Sequence, residues 1–212
     1  MLLFTDLLYS VLAGVAISMG GTVFLSLENK VLGALFFTVG LFVVCTFGLN
    51  LFTGKVCYVF ERDRQYAARL PIIWIGNLLG TLLTAGLELC TRSGAALSER
   101  AQAVCAAKLD DTLLSLFVLA IFCNIFIYIA VDGFNNNPHQ LGKYLALFFG
   151  VMVFILCGFE HCVADMYYFS IARVWSGPVL LRVLVITLGN ACGGVAFPLI
   201  RSLRNSSLQA NA

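Results

Sequence analysis

Of 212 residues, 60% are hydrophobic and only 11% are charged, and the mean hydropathy is +0.94. A soluble domain carries roughly 25% charged residues, so this chain belongs in lipid. The formal net charge of +2, with no run of Lys and Arg, excludes nucleic acid as a partner.

A spanning helix takes about 20 apolar residues, and apolar stretches run over 7–27, 31–50, 70–90, 112–131, 144–173 and 179–200. Six spans with short connections use up nearly all of the length, which predicts one transmembrane domain over 1–212 with no sizeable soluble part. The first stretch follows Asp6, lacks a basic leader region and outruns a signal-peptide core, so it reads as a span. Polar segments separate the stretches: Glu28-Asn29-Lys30, Glu61-Arg62-Asp63-Arg64, Arg92 to Asp111, Asp132 to Lys143, and Arg173 to Arg182.

An even number of spans puts both ends on one side. One set of loops, with the tail, holds Arg62, Arg64, Arg69, Lys143, Arg201 and Arg204; the other holds Lys30, Arg92, Arg100, Lys108, Arg173 and Arg182. The count is balanced, and the short Arg62 to Arg69 cluster tips it toward cytoplasmic termini. Eight cysteines are scattered through apolar stretches without a disulfide framework, which suits small buried residues. Cys90 and Cys105 flank one connection and would pair only in an oxidising compartment.

Gly76-Asn77-Leu78-Leu79-Gly80 in the first half recurs as Gly189-Asn190-Ala191-Cys192-Gly193 in the second. Three spans precede the midpoint and three follow it, so the halves, about 7–90 and 112–200, must be inverted relative to one another. Each half also contains an interrupted span. The first is broken at Asn50-Leu51-Phe52-Thr53-Gly54-Lys55 and the second at Cys157-Gly158-Phe159-Glu160-His161-Cys162, with Phe52 and Phe159 in matching places, at nearly the spacing of the repeat. Irregular backbone is tolerated at membrane depth only inside protein or along a watery cavity, so paired breaks point to a solute path.

His161 and Glu160 are ionisable residues in mid-span, and therefore functional candidates. An imidazole exchanges protons near neutrality; the alternative is a neutral ring bonded to a backbone carbonyl. Glu160 reads better as a group that braces the break by accepting backbone N–H bonds. Lys108 is either a solvated lysine paired with Asp110 and Asp111 or a cation that concentrates anions at a pore mouth. Asn124 and Thr53 are either interhelical glue or pore hydrogen-bonding groups. Gly14, Gly20-Gly21 and Gly193-Gly194 read as close-packing sites, and His139 as an exposed loop residue.

Gly158-Phe159-Glu160-His161 resembles the signature on the broken fifth helix of the formate/nitrite transporters. Leu51-Phe52-Thr53-Gly54 is similar to its counterpart on the broken second helix, and the paired G-N-x-x-G segments fall on helices three and six, as in that family. The resemblance implies an all-α, six-helix, aquaporin-like inverted repeat, a pore through each protomer of a homopentamer, and no cofactor or enzymatic activity. It implies a pathway for a small monovalent anion (formate, nitrite, hydrosulfide or a similar ion), coupled to a proton, across the cell inner (plasma) membrane. By the same resemblance His161 is the central pore histidine, and Thr53 and Asn124 are its polar neighbours. Leu51 and Phe154 match apolar constriction residues, Phe37 a further apolar pore residue, and Lys108 the lysine that makes a vestibule electropositive.

Two departures stand out. The family's amphipathic segment ahead of the first span is not matched, since the span begins within ten residues of Met1. Lys55, directly after the first break, is not expected of formate members and suits a hydrosulfide-type or other divergent member. Two further readings remain. A neutral-solute channel of aquaporin type would carry paired Asn-Pro-Ala motifs, which are absent from the sequence. A membrane metal or haem protein is suggested by Cys157 and Cys162 with His161 beside them.

Overall fold

In hydrocarbon, backbone groups must bond within their own segment, and apolar stretches accordingly become helices wherever nothing interrupts them. The computed structural model describes residues 2–210, and among these it contains helices and turns but no strand. In chain order the helices are α1 (Leu2–Ser26), α2 (Lys30–Thr46), α3 (Phe52–Val56), α4 (Arg64–Leu89), α5 (Gly94–Asp110), α6 (Leu113–Asn136), α7 (Gln140–Leu156), α8 (Cys162–Ile171) and α9 (Gly177–Ala210).

Four of them, α1, α4, α6 and α9, are long and apolar enough to cross a membrane, while α2 and α7 are shorter apolar helices of 17 residues each. Large apolar side chains such as Phe4, Met19, Leu87 and Leu188 point outward and are about half exposed or more, as a lipid-facing surface requires. Side-chain caps fix several starts: Asn29 accepts from Val31 and Leu32 N–H, Asp63 from Tyr66 N–H, and Thr112 from Ser115 N–H.

The segment from Arg92 to Asp111, expected to be a polar connection, is largely the helix α5. Its charges mask a buried stripe, Leu97, Ala101 and Cys105, spaced four apart and packed toward α8. Cys105 is therefore interior while Cys90 is exposed, and both are free thiols.

The helices form two similar groups. α1 packs on α4 and α2, and α6 packs on α9 and α7. At Gly80 an added Cβ would strike the Val11 carbonyl, and at Gly193 it would strike that of Ile121, so the glycines of the G-N-x-x-G segments let backbones touch. Trp74 of α4 ties the groups together by donating to Thr187 Oγ1 of α9 at 3.0 Å. Asp6 on α1 is held by the Arg69 guanidinium on α4 through a two-point contact.

Candidate functional site

Both short apolar helices end in the same way. Gly48 (φ +63°) and Gly158 (φ +68°) adopt the left-handed conformation that side chains resist. Gly48 N–H then bonds to Cys45 O and Leu49 N–H to Val44 O; Gly158 N–H bonds to Ile155 O and Phe159 N–H to Phe154 O. These are matched Schellman stops, and the offset that carries Gly48 onto Gly158 sets the register of the two halves.

This register corrects two expectations. The first interruption lies at 47–51 and not at 50–55, because Phe52 to Val56 is already helical in α3. The partner of Phe52 is Cys162, not Phe159, and the partner of His161 is Leu51.

What holds each interruption is an asparagine from the neighbouring long helix. Asn77 Oδ1 accepts from Phe52 N–H (2.8 Å), and its Nδ2 donates to Asn50 O (2.9 Å) and Ser10 O (2.8 Å). Asn190 repeats the pattern, accepting from Cys162 N–H (2.9 Å) and donating to Glu160 O and Ala120 O (both 2.8 Å). Both asparagines are fully buried. Unpaired backbone groups at this depth cost several kcal/mol, and these two amides remove most of that penalty. The repeat is visible in the sequence, but this role is not; the available signal is an asparagine placed twice inside an apolar stretch.

The two interrupted segments meet at one contact, Thr53 Oγ1 to His161 Nε2, 2.9 Å apart. His161 is also the N-cap of α8, with Nδ1 accepting from Ala164 N–H at 3.1 Å. Because Nδ1 is an acceptor, the neutral ring carries its proton on Nε2 and presents it to Thr53. A second proton on Nδ1 would break the cap and place a cation at the positive end of α8, so at rest the imidazole is neutral. Both ring nitrogens are thus engaged by protein, and Cys157 is exposed while Cys162 is buried; this is a poor arrangement for a metal ligand set.

Apolar groups close in on this contact. Phe154 stacks on the His161 ring at 5.7 Å and Phe37 meets Phe154 edge-on at 6.0 Å. With Leu51, these residues are at most 2% exposed. Asn124 is buried beside them, but it spends its Nδ2 on Thr53 O (3.1 Å) and Asn190 O (2.7 Å), bracing the backbone.

Lys108 does not pair with Asp110 or Asp111. It reaches from α5 to Glu160 (2.5 Å) and to Asp165 (2.9 Å), both almost fully buried. Glu160 therefore braces the break through a lysine and its own carbonyl; the expected bonds from backbone N–H to its carboxylate are not the device used. Burial pushes the Lys108 ammonium down, but Asp165 and Glu160 more than reverse this and hold it above its ordinary value, so it stays charged. Asp165, four residues after His161, escaped the sequence reading although an acid inside an apolar stretch was the signal.

A cavity of about 370 Å³ opens here, lined by Lys30, Lys108, Phe154, Gly158, Glu160, His161, Asp165 and Tyr168 among others. A second, of about 380 Å³, is lined by Val44, Gly48, Leu51, Lys55, Tyr58 and Arg62 among others, and shares no residue with the first. Val44, Cys45, Gly48, Leu49, Leu51, Gly54, Lys55 and Tyr58 each have their mate, at the offset of the two glycines, in the first cavity. Lys30, which opens α2, donates to Leu156 O at the end of α7 (3.2 Å), whereas Cys45, at the other end of α2, lines the second cavity. The cavities therefore sit at opposite ends of α2, a helix of 17 residues and about 25 Å.

Comparison with known proteins agrees with this geometry. A family model described as formate/nitrite transporter matches residues 3–202. The uncharacterized transporter YrhG of Bacillus subtilis (strain 168) is 31% identical over 185 residues, covering 80% of this chain and 69% of that protein. Among solved structures, an FNT family ion channel matches with a TM-score of 0.83 at 25% identity, over 92% of this chain and 87% of that one. A pentameric formate channel with formate bound matches in fold with a TM-score of 0.78 at 21% identity, over 98% of both chains. The relatives are channels and transporters, not enzymes, and this chain belongs to the formate/nitrite transporter family.

Proposed function

We infer that the chain passes a small monovalent anion of the formate and nitrite class across the cell membrane, as its neutral acid through the narrowest part. The observation that carries this reading is the Thr53 to His161 contact, where two interrupted segments converge between cavities at opposite ends of α2. On this reading α2 with α3 and α7 with α8 are the broken second and fifth of six spans, and the halves form an inverted repeat. The residue-by-residue equivalence of the two cavities supports it. The pentameric state of the formate channel that shares the fold supports a homopentamer with one path per protomer.

The stages follow from the chemistry of the lining. A bare carboxylate or nitrite is costly among Leu51, Phe37 and Phe154, and the same desolvation raises the solute's pKa, favouring its protonated form. The solute takes its proton from water of the cavity it enters, and His161 offers Nε2–H to the acid's second oxygen in place of Thr53 Oγ1, holding it at the narrowest point without itself becoming a resident cation. The solute then leaves toward the opposite cavity and releases its proton to water, so net movement is anion with proton and rises as pH falls. Asp6 of α1 and Arg201 of α9 both lie on the side of the Lys55 cavity, since Asp6 bonds Asn50 and Arg69, and Arg201 bonds Asp132 near Asn135. Lys55 adds one cation to that side of the balanced count, which supports cytoplasmic termini.

Flux in proteoliposomes tests the reading. The wild-type protein should carry formate and nitrite faster at lower external pH, and His161→Asn should flatten that dependence. A His161→Asn protein with the wild-type pH profile would show that the imidazole has no part in handling the proton.

A further inference from the structure

We propose that Lys55, with Arg62 behind it, is an anion-binding station at the Leu51 end of the path; this rests on the transport reading and names the mouth where the anion is captured. Lys55 sits in α3 immediately after the first interruption, half-buried, and lines the 380 Å³ cavity with Leu51, Tyr58 and Arg62. Among the described residues its ammonium forms no ion pair.

The neighbouring acids are already engaged. Asp6 is held by Arg69, Glu61 and Asp132 share Arg201 (3.6 and 3.2 Å), and Asp63 caps Tyr66 N–H at 2.8 Å. A cation in a partly dry cleft, with its local carboxylates paired elsewhere, draws small anions by field focusing.

The matching position at the other end carries an acid in place of a base. There the mate of Lys55 is Asp165, which shares Lys108 with Glu160. Two buried carboxylates engage the one ammonium there, so Lys108 is held by the protein where Lys55 is not. At that end the other lysine of the lining, Lys30, is exposed and bonds the Leu156 carbonyl, whereas Lys55 is half-buried beside the first interruption.

Two measurements test the station. In the first, purified protein in detergent is reductively methylated with and without sodium nitrite, and modification of Lys55 and Lys143 is read by mass spectrometry. Nitrite should slow labelling of Lys55 several-fold and leave Lys143 unchanged. In the second, nitrite flux is measured against concentration at low and high ionic strength. Lys55→Gln should raise the half-saturating concentration roughly fivefold at low salt and weaken its salt dependence, with the saturated rate and pH profile retained; Lys55→Arg should restore capture.

Absence of protection together with wild-type half-saturation in Lys55→Gln would overturn the station while leaving transport intact. Protection at Lys55 in a protein that carries no anion would keep the station and sink the transport reading.

Discussion

Replacing Asn190 with alanine removes three hydrogen bonds that nothing nearby can replace: Cys162 N–H to Oδ1, and Nδ2 to Glu160 O and Ala120 O. Ala120 lies within α6 and keeps its place in the helix ladder, so its loss is small. Cys162 N–H and Glu160 O belong to the interruption between α7 and α8 and have no ladder to return to. Orphaning a buried polar group costs about 1–3 kcal/mol in a protein core, while single hydrogen bonds between membrane helices average about 0.6 and reach about 1.7 kcal/mol. Two stranded backbone groups at full burial therefore put the loss at about 2–4 kcal/mol.

Denaturation in mixed micelles with increasing SDS, followed by the fluorescence of Trp74 and Trp175, measures it. The two tryptophans report on different groups, since Trp74 bonds Thr187 on α9 and Trp175 bonds Ser170 on α8. Asn77→Ala should lose a similar amount, because its three bonds match in length and kind. Asn190→Asp should fall in between or worse, keeping the acceptor for Cys162 N–H but offering no donor to Glu160 O. An Asn190→Ala protein that unfolds at the wild-type midpoint would refute the claim that this amide holds the break together.

Gly48→Ala and Gly158→Ala should each lose about 1–2 kcal/mol, read in the same titration. A Cβ at either position meets nothing within 4 Å, so the loss is purely one of backbone conformation, and asparagine should recover part of it. Lys108→Met strands Glu160 and Asp165 against each other and should cost about 3–5 kcal/mol; Asp165→Asn leaves one ammonium with one carboxylate and should unfold no earlier than wild type. Thr53→Val preserves shape but removes the partner of His161 Nε2, so formate flux should fall severalfold in liposomes with a stability loss of about 1 kcal/mol, whereas Thr53→Ser should transport normally.

Much of the site was legible because membrane depth makes sequence signals loud. An imidazole in an apolar stretch, or a Gly-rich interruption in a span, has few innocent explanations where unpaired polar groups are so costly. His161, Thr53, Phe154 and Phe37 come together around one contact, and Leu51 is buried two residues before Thr53. The partners of the charged residues were not legible. Lys108 stands near Asp110 and Asp111 in the chain, yet positions two apart on a helix face different ways, Asp111 has already left α5 in extended backbone and accepts from Ser115 Oγ, and the fold of α5 onto α8 turns the lysine toward Glu160 and Asp165 instead. Asn124 and Glu160 were left between structural and pore roles because only coordinates reveal which backbone carbonyls lie within reach.

Composition and hydropathy by themselves determined that the chain lives in lipid as helices, and the repeated G-N-x-x-G with two interruptions pointed to two related halves, because both follow from the local rule that backbone polar groups must be satisfied where there is no water. Which residue of one interruption matches which of the other, and which acids hold Lys108, were decided only by the tertiary structure. Those depend on long-range pairings, Asn77 with Asn50 and Phe52, Asn190 with Glu160 and Cys162, and Lys108 with Asp165. No spacing along one strand of sequence encodes which distant helix will bring its donor to a given carbonyl.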